Sequence, residues 1–196
     1  MIREQVKPAI LSFIVLSVIT GLLYPLFVTG LAQVFFYKQA NGSLIYRNGK
    51  LVGSVLIGQP FDDPKYFWGR VSATTPASYN ASSSSGSNIG PSNPTLLDEV
   101  NARIKALQAA DPDNKALIPV DLVTSSASGL DSHISLAAAN YQLGRIARLR
   151  GIPPEDIRAL LRKYTYGRFL GVIGEPVVNV LELNLAFDFI GVIDWI

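Results

Sequence analysis

The clearest pattern along the chain is a charge-free, mainly apolar run near its start, with Ser12, Ser17, Thr20, Thr29 and Gln33 as its polar interruptions. No Asp, Glu, Lys or Arg occurs from Pro8 through Tyr37, and a bilayer core about 30 Å thick is crossed by about 20 helical residues. The run predicts one transmembrane helix over 8–37, preceded by a short tail over 1–7. It exceeds the apolar core of a secretory signal, about 7 to 15 residues, which favours an uncleaved anchor. Gly21, Pro25 and Gly30 mark places for a bend, and Ser17, Thr20 and Gly21 are small enough for a neighbouring helix to approach. A lone anchor in lipid fits the same residues. Arg3 and Lys7 precede the helix while Lys38, Arg47 and Lys50 follow it, so the charge count leaves orientation undecided.

Beyond the helix the periodicity changes. Ser43 to Tyr46 and Leu51 to Ile57 are β-favouring runs around Arg47-Asn48-Gly49-Lys50, and Asn-Gly predicts a type I′ hairpin. Gln59 to Ala77 mixes aromatic residues with prolines and reads as an irregular, packed segment. Tyr79 to Pro94 is rich in Ser, Asn, Gly and Pro; composition alone makes it a flexible linker. A helix is expected from about Asn93, with Pro94 in its first turn and Leu97, Val100, Ile104 and Leu107 along one face. A second is expected over Ile134 to Arg150, with Ile134, Ala138, Tyr141, Ile146 and Leu149 as its stripe and Gly151 as its stop. Pro153-Pro154-Glu155-Asp156 opens a third, with Arg158, Arg162 and Lys163 toward its end, and Val177 to Leu185 reads as a core strand. The sum is an α+β protein: one N-terminal transmembrane helix, then a single soluble domain over 38–196 with a small sheet and about three helices.

Composition narrows the chemistry. The 196 residues carry 17 Lys+Arg against 15 Asp+Glu, a net charge of +2, which disfavours a nucleic-acid role. With no Cys there are no disulfides, thiolate metal sites or Cys nucleophile, and His133 beside Asp131 lacks the further ligands of a tight metal site. No phosphate loop is present; the one Gly-Lys pair, Gly49-Lys50, sits in the hairpin turn. No G-x-S-x-G elbow is present either, so an enzymatic reading rests on His133 finding a serine. The Ser/Gly stretch from Thr124 to Ser135 leads into a helix, where backbone N–H groups suit a phosphate or carboxylate; ordinary capping by Asp131 or Ser132 is the favoured explanation. From Arg145 to Arg168 there are seven cationic and two acidic residues, much of it explained by two helix C-termini.

The assembled motifs resemble the KdpC family, the C subunit of the bacterial Kdp potassium-transporting ATPase. They begin with Gly21-Leu22-Leu23-Tyr24-Pro25-Leu26 and Thr29-Gly30, then Ala40-Asn41-Gly42-Ser43, Gly53-Ser54, Leu56-Ile57-Gly58-Gln59, Arg70 and Ser72-Ala73-Thr74. Tyr79-Asn80, Ser84-Ser85-Gly86-Ser87-Asn88, Gly90-Pro91-Ser92-Asn93-Pro94 and Pro119-Val120-Asp121-Leu122-Val123-Thr124 follow. Ser128-Gly129-Leu130-Asp131, His133-Ile134-Ser135, Gly174-Glu175-Pro176 and Asn179-Val180-Leu181 complete the set. The chain departs from the family pattern at Val71 and Ser132, where Pro is usual, and at Phe187, where Leu is usual. Its apolar tail Phe189 to Ile196 is not among the motifs.

The resemblance implies a noncatalytic subunit of a high-affinity ATP-driven potassium importer. Its partners would be a channel-like potassium-conducting subunit, a P-type ATPase subunit, a small membrane subunit and the lipid bilayer. Absence of the Asp-Lys-Thr-Gly and Thr-Val-Gly-Tyr-Gly motifs agrees with that division of labour. Two roles are implied: a catalytic chaperone that raises the ATP affinity of the ATPase subunit, and a structural cap beside the channel subunit. If ATP is bound directly, Gln142 is the candidate for the adenine edge and Ser128, Gly129, Asp131, His133 and Ser135 for the phosphates; the alternative is an indirect effect. Candidate subunit contacts are Gly21, Tyr24 and Pro25 in the membrane and Ser85, Gly86, Ser87, Asn88 and Asn93 in a docking loop. The expected place is the bacterial inner membrane, single-pass, with the soluble domain extracytoplasmic. The rival is a membrane-anchored extracytoplasmic enzyme using His133.

Overall fold

The computed structural model describes residues 2–193, with side-chain surroundings given for residues 4–188. The chain divides into two compact units, Met1–Leu44 and Ile45–Ile196. In the first, α1 (Ile2–Val18), a π-helical turn (Ile19–Leu23) and α2 (Tyr24–Phe35) run on as one rod, followed by the short α3 (Tyr37–Ala40). Glu4–Phe35 is long and apolar enough to cross a membrane. The π turn has a local cause. Pro25 has no N–H for the carbonyl of Gly21, and the Tyr24 N–H reaches back five residues to Ile19 O, so the widened turn absorbs the missing bond. Thr20 Oγ1 donates to Leu16 O at 2.7 Å, which keeps its hydroxyl satisfied in an apolar setting.

A hairpin follows, β1 (Leu44–Arg47) and β2 (Lys50–Ser54), which apart from Leu44 lies in the second unit. Asn48 and Gly49 both have positive φ, 50° and 73°, the backbone the expected type I′ turn requires. β2 stops at Ser54 instead of Ile57, because Ser54 Oγ accepts the Leu56 N–H at 3.1 Å and folds the chain into a turn. A second, three-stranded antiparallel sheet has the order β3-β5-β4: β3 (His133–Ser135), β5 (Val177–Asn179) and β4 (Thr165–Tyr166). Ile134 is opposite Val178, and Thr165 lies on the other side of the same residue. Against this sheet and one another pack α5 (Leu136–Arg150), α6 (Pro154–Lys163) and α7 (Val180–Ile193), with α4 (Pro94–Ala110) contributing Leu107. The core joins Phe67, Leu122, Ile134, Ile146, Ile157, Val178, Leu183 and Phe187, all essentially without solvent exposure.

Several expectations need correction. The expected strand Val177 to Leu185 is a strand only to Asn179; Asn179 Oδ1 accepts the Glu182 N–H at 3.1 Å, caps a helix and turns the apolar run into α7. Val180, Leu183, Asn184 and Phe187 then form its buried face at helical spacing. The expected helix from Ile134 begins at Leu136, since Ile134 and Ser135 are spent in the sheet. Its cap is Ser135, whose Oγ accepts from Ala138 N at 3.0 Å, and neither Asp131 nor Ser132. Leu97 and Leu149 are exposed, so the faces of α4 and α5 run through Leu96 and Leu107 and through Tyr141 and Ile146. Asn93 caps α4 and Gly151 ends α5 in the left-handed conformation, as expected. The side chains of the tail Phe189 to Ile196 lie outside the described residues.

Candidate functional site

Gln142 and Asn184 decide how the irregular segment before Tyr79 is held. Gln142 Oε1 accepts the Trp68 N–H at 2.8 Å and its Nε2 donates to Trp68 O at 3.1 Å. Asn184 repeats the pattern on Phe67, 2.9 Å in both directions. Two helix-borne amides thus do for consecutive residues what a neighbouring strand would do, and a stretch without regular structure is satisfied inside the core. Arg145, itself almost fully buried, donates to Tyr66 O and to Gln142 Oε1, both at 2.8 Å, and its guanidinium lies 4.6 Å from the centre of the Trp68 ring. Arg103 lies over the same ring at 4.9 Å. Burial drags the Arg145 pKa down to about 10. The Gln142 amide is therefore committed to the fold; its place in the core, 1 % exposed, does not offer it to an adenine edge.

The other candidate ligand-facing residues divide into two groups. Asp131, His133 and Ser135 line a groove of about 590 Å³ with Arg70, Asp121 and Val177. Asp131 Oδ2 pairs with Arg70 Nη1 at 3.2 Å, and its Oδ1 accepts the His133 N–H at 3.0 Å. Burial pushes the Asp131 carboxyl up, but contacts from His133 and Arg70 outweigh it and hold the group below its ordinary value. Asp121 accepts the Ser135 N–H at 2.7 Å and its hydroxyl at 3.2 Å. The backbone donors an incoming phosphate would need are thus occupied by the chain's own carboxylates, whose charges oppose a polyanion. Arg70 and Asp121 were not among the sequence candidates for this groove. Arg70 stood only in a family motif, and Asp121 gave no signal beyond lying in one.

His133 also has Ser132 close by, with Oγ 3.2 Å from Nδ1, and Asp131 Oδ1 at 3.7 Å from the same nitrogen. A Ser-His-Asp relay needs the serine and the acid on opposite ring nitrogens. Here both face Nδ1, and Ser132, buried, donates to Val55 O at 2.8 Å. The trio is arranged for packing the β3 edge rather than for activating a nucleophile.

Ser128 and Gly129 belong to a different contact. The tract Tyr79 to Pro94, flexible by composition, is laid against the loop 125–130. Ser85 N donates to Ser128 O at 3.0 Å, Ser84 Oγ to the same oxygen at 2.9 Å, and Ser125 Oγ meets Ser87 Oγ at 3.1 Å. Both loops place glycine where they touch. A Cβ on Gly86 would come 2.8 Å from Ala127 O, and one on Gly129, whose φ is +67°, would come 2.6 Å from Ser85 O. The root of the tract is fixed by Tyr79, whose hydroxyl donates to Arg70 O at 2.5 Å and whose phenol burial pushes up to about 12. Ser72 and Thr74 collect the surrounding amides of Tyr79 and Asn80. Asn88 has positive φ, 53°, and Asn93 caps α4. In the N-terminal helix, Tyr24 is exposed and Gly21 has open space around it.

Comparison with known proteins places this arrangement among relatives that align over nearly its whole length. The family described as KdpC: K+-transporting ATPase, c chain, matches residues 6–189. The chain is 60% identical over 186 residues to the potassium-transporting ATPase KdpC subunit of Dechloromonas aromatica, an alignment covering 95% of this chain and 97% of that one. The protein of the same description from Herpetosiphon aurantiacus is 58% identical over 192 residues, covering 98% and 100%. That from Methylococcus capsulatus is 59% identical over 182 residues, covering 93% and 96%.

Proposed function

Because this chain belongs to the KdpC family of K+-transporting ATPase c chains, we propose that it assembles with the other Kdp subunits and raises the ATP affinity of the ATP-hydrolysing one without binding ATP itself. The observation that carries the indirect reading is the occupied groove. Asp121 and Asp131 already hold the Ser135 and His133 N–H groups, and the Gln142 amide is consumed by Trp68. A subunit with no nucleotide site of its own alters ATP affinity by favouring one conformation of its partner, a coupling typically worth 1–3 kcal/mol, or roughly 5- to 150-fold in affinity. The partners in this reading are a channel-like potassium-conducting subunit, a P-type ATPase subunit and a small membrane subunit, and the outcome is potassium import. The closed Ser132-His133-Asp131 geometry speaks against the rival enzymatic use of His133.

The test is a complex purified with and without this chain. Its removal should raise the ATP concentration needed for half-maximal potassium-stimulated hydrolysis by on the order of tenfold and loosen the particle. A stable particle lacking the chain, with unchanged ATP dependence, would overturn the proposal.

The soluble unit belongs, in this reading, on the outer side of the bacterial inner membrane. Protease added to intact spheroplasts is expected to cut the soluble unit, and inverted vesicles should protect it; the reverse pattern would refute the assignment.

A further inference from the structure

The arm that joins β4 to β5 ends in large apolar side chains that nothing among the described residues covers. Phe169, Leu170, Val172 and Ile173 are 68%, 79%, 77% and 65% exposed. They are not the debris of a loose loop. Phe169 N donates to Ile173 O at 2.8 Å, Ile173 N returns to Phe169 O at 3.0 Å, Val172 N reaches Phe169 O at 3.2 Å, and Gly171 N reaches Arg168 O at 3.1 Å. Leu170 is held at a φ of +53°, which aligns the turn at the cost of backbone strain in a non-glycine residue. At the base of the arm Arg168 is bonded to both carboxylate oxygens of Glu175 at 3.0 Å, so those two charges neutralise each other. Exposed Arg162 and Lys163 close α6, just before β4.

We propose that this hairpin tip dips into the lipid surface of the membrane that the chain's N-terminal helix spans. Three separate features select lipid as the occupant. The tip is apolar at four of five positions, and four of its five N–H groups, those of Phe169, Gly171, Val172 and Ile173, are donated within the turn, which lowers the cost of bringing that backbone to the edge of hydrocarbon. The charges behind it are either paired or cationic, the arrangement that suits anionic headgroups at the interface. The chain also carries its own membrane-crossing segment, Glu4–Phe35, so the bilayer is present at high effective concentration and shallow insertion needs little intrinsic affinity. The inference rests on that segment spanning a membrane, and is independent of any effect on ATP.

The chain has no Cys, so a single thiol introduced into it is labelled at one position when the chain is labelled before assembly. The assembled complex in vesicles of phosphatidylglycerol and phosphatidylcholine would carry an environment-sensitive fluorophore at Leu170→Cys or Val172→Cys, with the exposed α4 position Ala109→Cys as control. Emission from both tip labels is expected to shift to the blue and to be quenched by nitroxide-bearing lipids, while the control answers only to aqueous iodide. Iodide quenching of the tip labels equal to the control would overturn the proposal. So would shielding from both quenchers, the sign of a tip buried against a protein subunit. Two tip positions guard against a local effect of the strained Leu170 backbone.

Discussion

Exchanging Gln142 for Leu is expected to destabilise the soluble unit by about 3 kcal/mol, since buried donors and acceptors left without partners cost about 1–3 kcal/mol each. The substitution fits the volume but strands the Trp68 N–H and C=O and removes one of the acceptors of Arg145 Nη2. Arg145 then keeps Tyr66 O and the face of Trp68 as its polar partners among the contacts described above, in a place where desolvation already weakens its charge. Denaturant unfolding of the full chain in detergent, followed by tryptophan emission, reads the loss. Gln142→Glu keeps an acceptor for Trp68 and Arg145 while losing the amide donor, and should fall between wild type and Leu. A nucleotide-contact role makes a different forecast: a fold as stable as wild type, with changed response to ATP. An unchanged unfolding midpoint for Gln142→Leu would therefore remove the physical basis of the amide clasp.

Gln142 also shows what the sequence did and did not contain. It follows Ala138 and precedes Ile146 by four residues each, so helical periodicity already puts it on the buried face of α5. What periodicity could not supply was the partner, a backbone segment 74 residues earlier. The same limit governs Val177 to Leu185. An apolar run suits a buried strand or a buried helix equally well, and the choice fell to Asn179, which pairs with His133 in the sheet and caps α7. Local signals were legible where their chemistry is local: the Asn48-Gly49 turn, the Asn93 cap, the Gly151 stop and the long apolar N-terminal helix. Arg70 and Asp121 entered the groove through contacts 61 and 14 residues apart, and neither spacing nor composition announces such meetings. The tract Tyr79 to Pro94 reads as a linker because Ser and Gly have little apolar surface to bury. In the fold those same residues are small enough for two backbones to touch.

That contact gives the second large effect. Gly129→Val should free the Tyr79 to Pro94 tract from its bed. A β-branched residue at φ +67° costs about 1–2 kcal/mol in backbone strain alone, and its Cβ would meet Ser85 O at 2.6 Å besides. The same Cβ would also come 2.5 Å from Thr74 Cγ2, and neither neighbour yields easily, because Ser85 is pinned through its own N–H to Ser128 O and Thr74 Oγ1 is tied to Ala77 O at 2.8 Å. The Phe67 and Trp68 clasps lie elsewhere in the unit, on α7 and α5, so global unfolding should move less than local exposure. Limited proteolysis is expected to open new cuts between Tyr79 and Pro94 while tryptophan emission stays near that of wild type. If the tract is also the surface presented to another Kdp subunit, through Ser85, Gly86, Ser87, Asn88 and Asn93, the variant will wash out of the purified complex under conditions that retain wild type. Gly129→Ala, with the same φ but less bulk, should show a milder form of both changes. A Val variant cut no faster than wild type would mean that the serine loop is not held by this contact, and retention in the complex despite new cuts would separate the packing of the tract from any docking role.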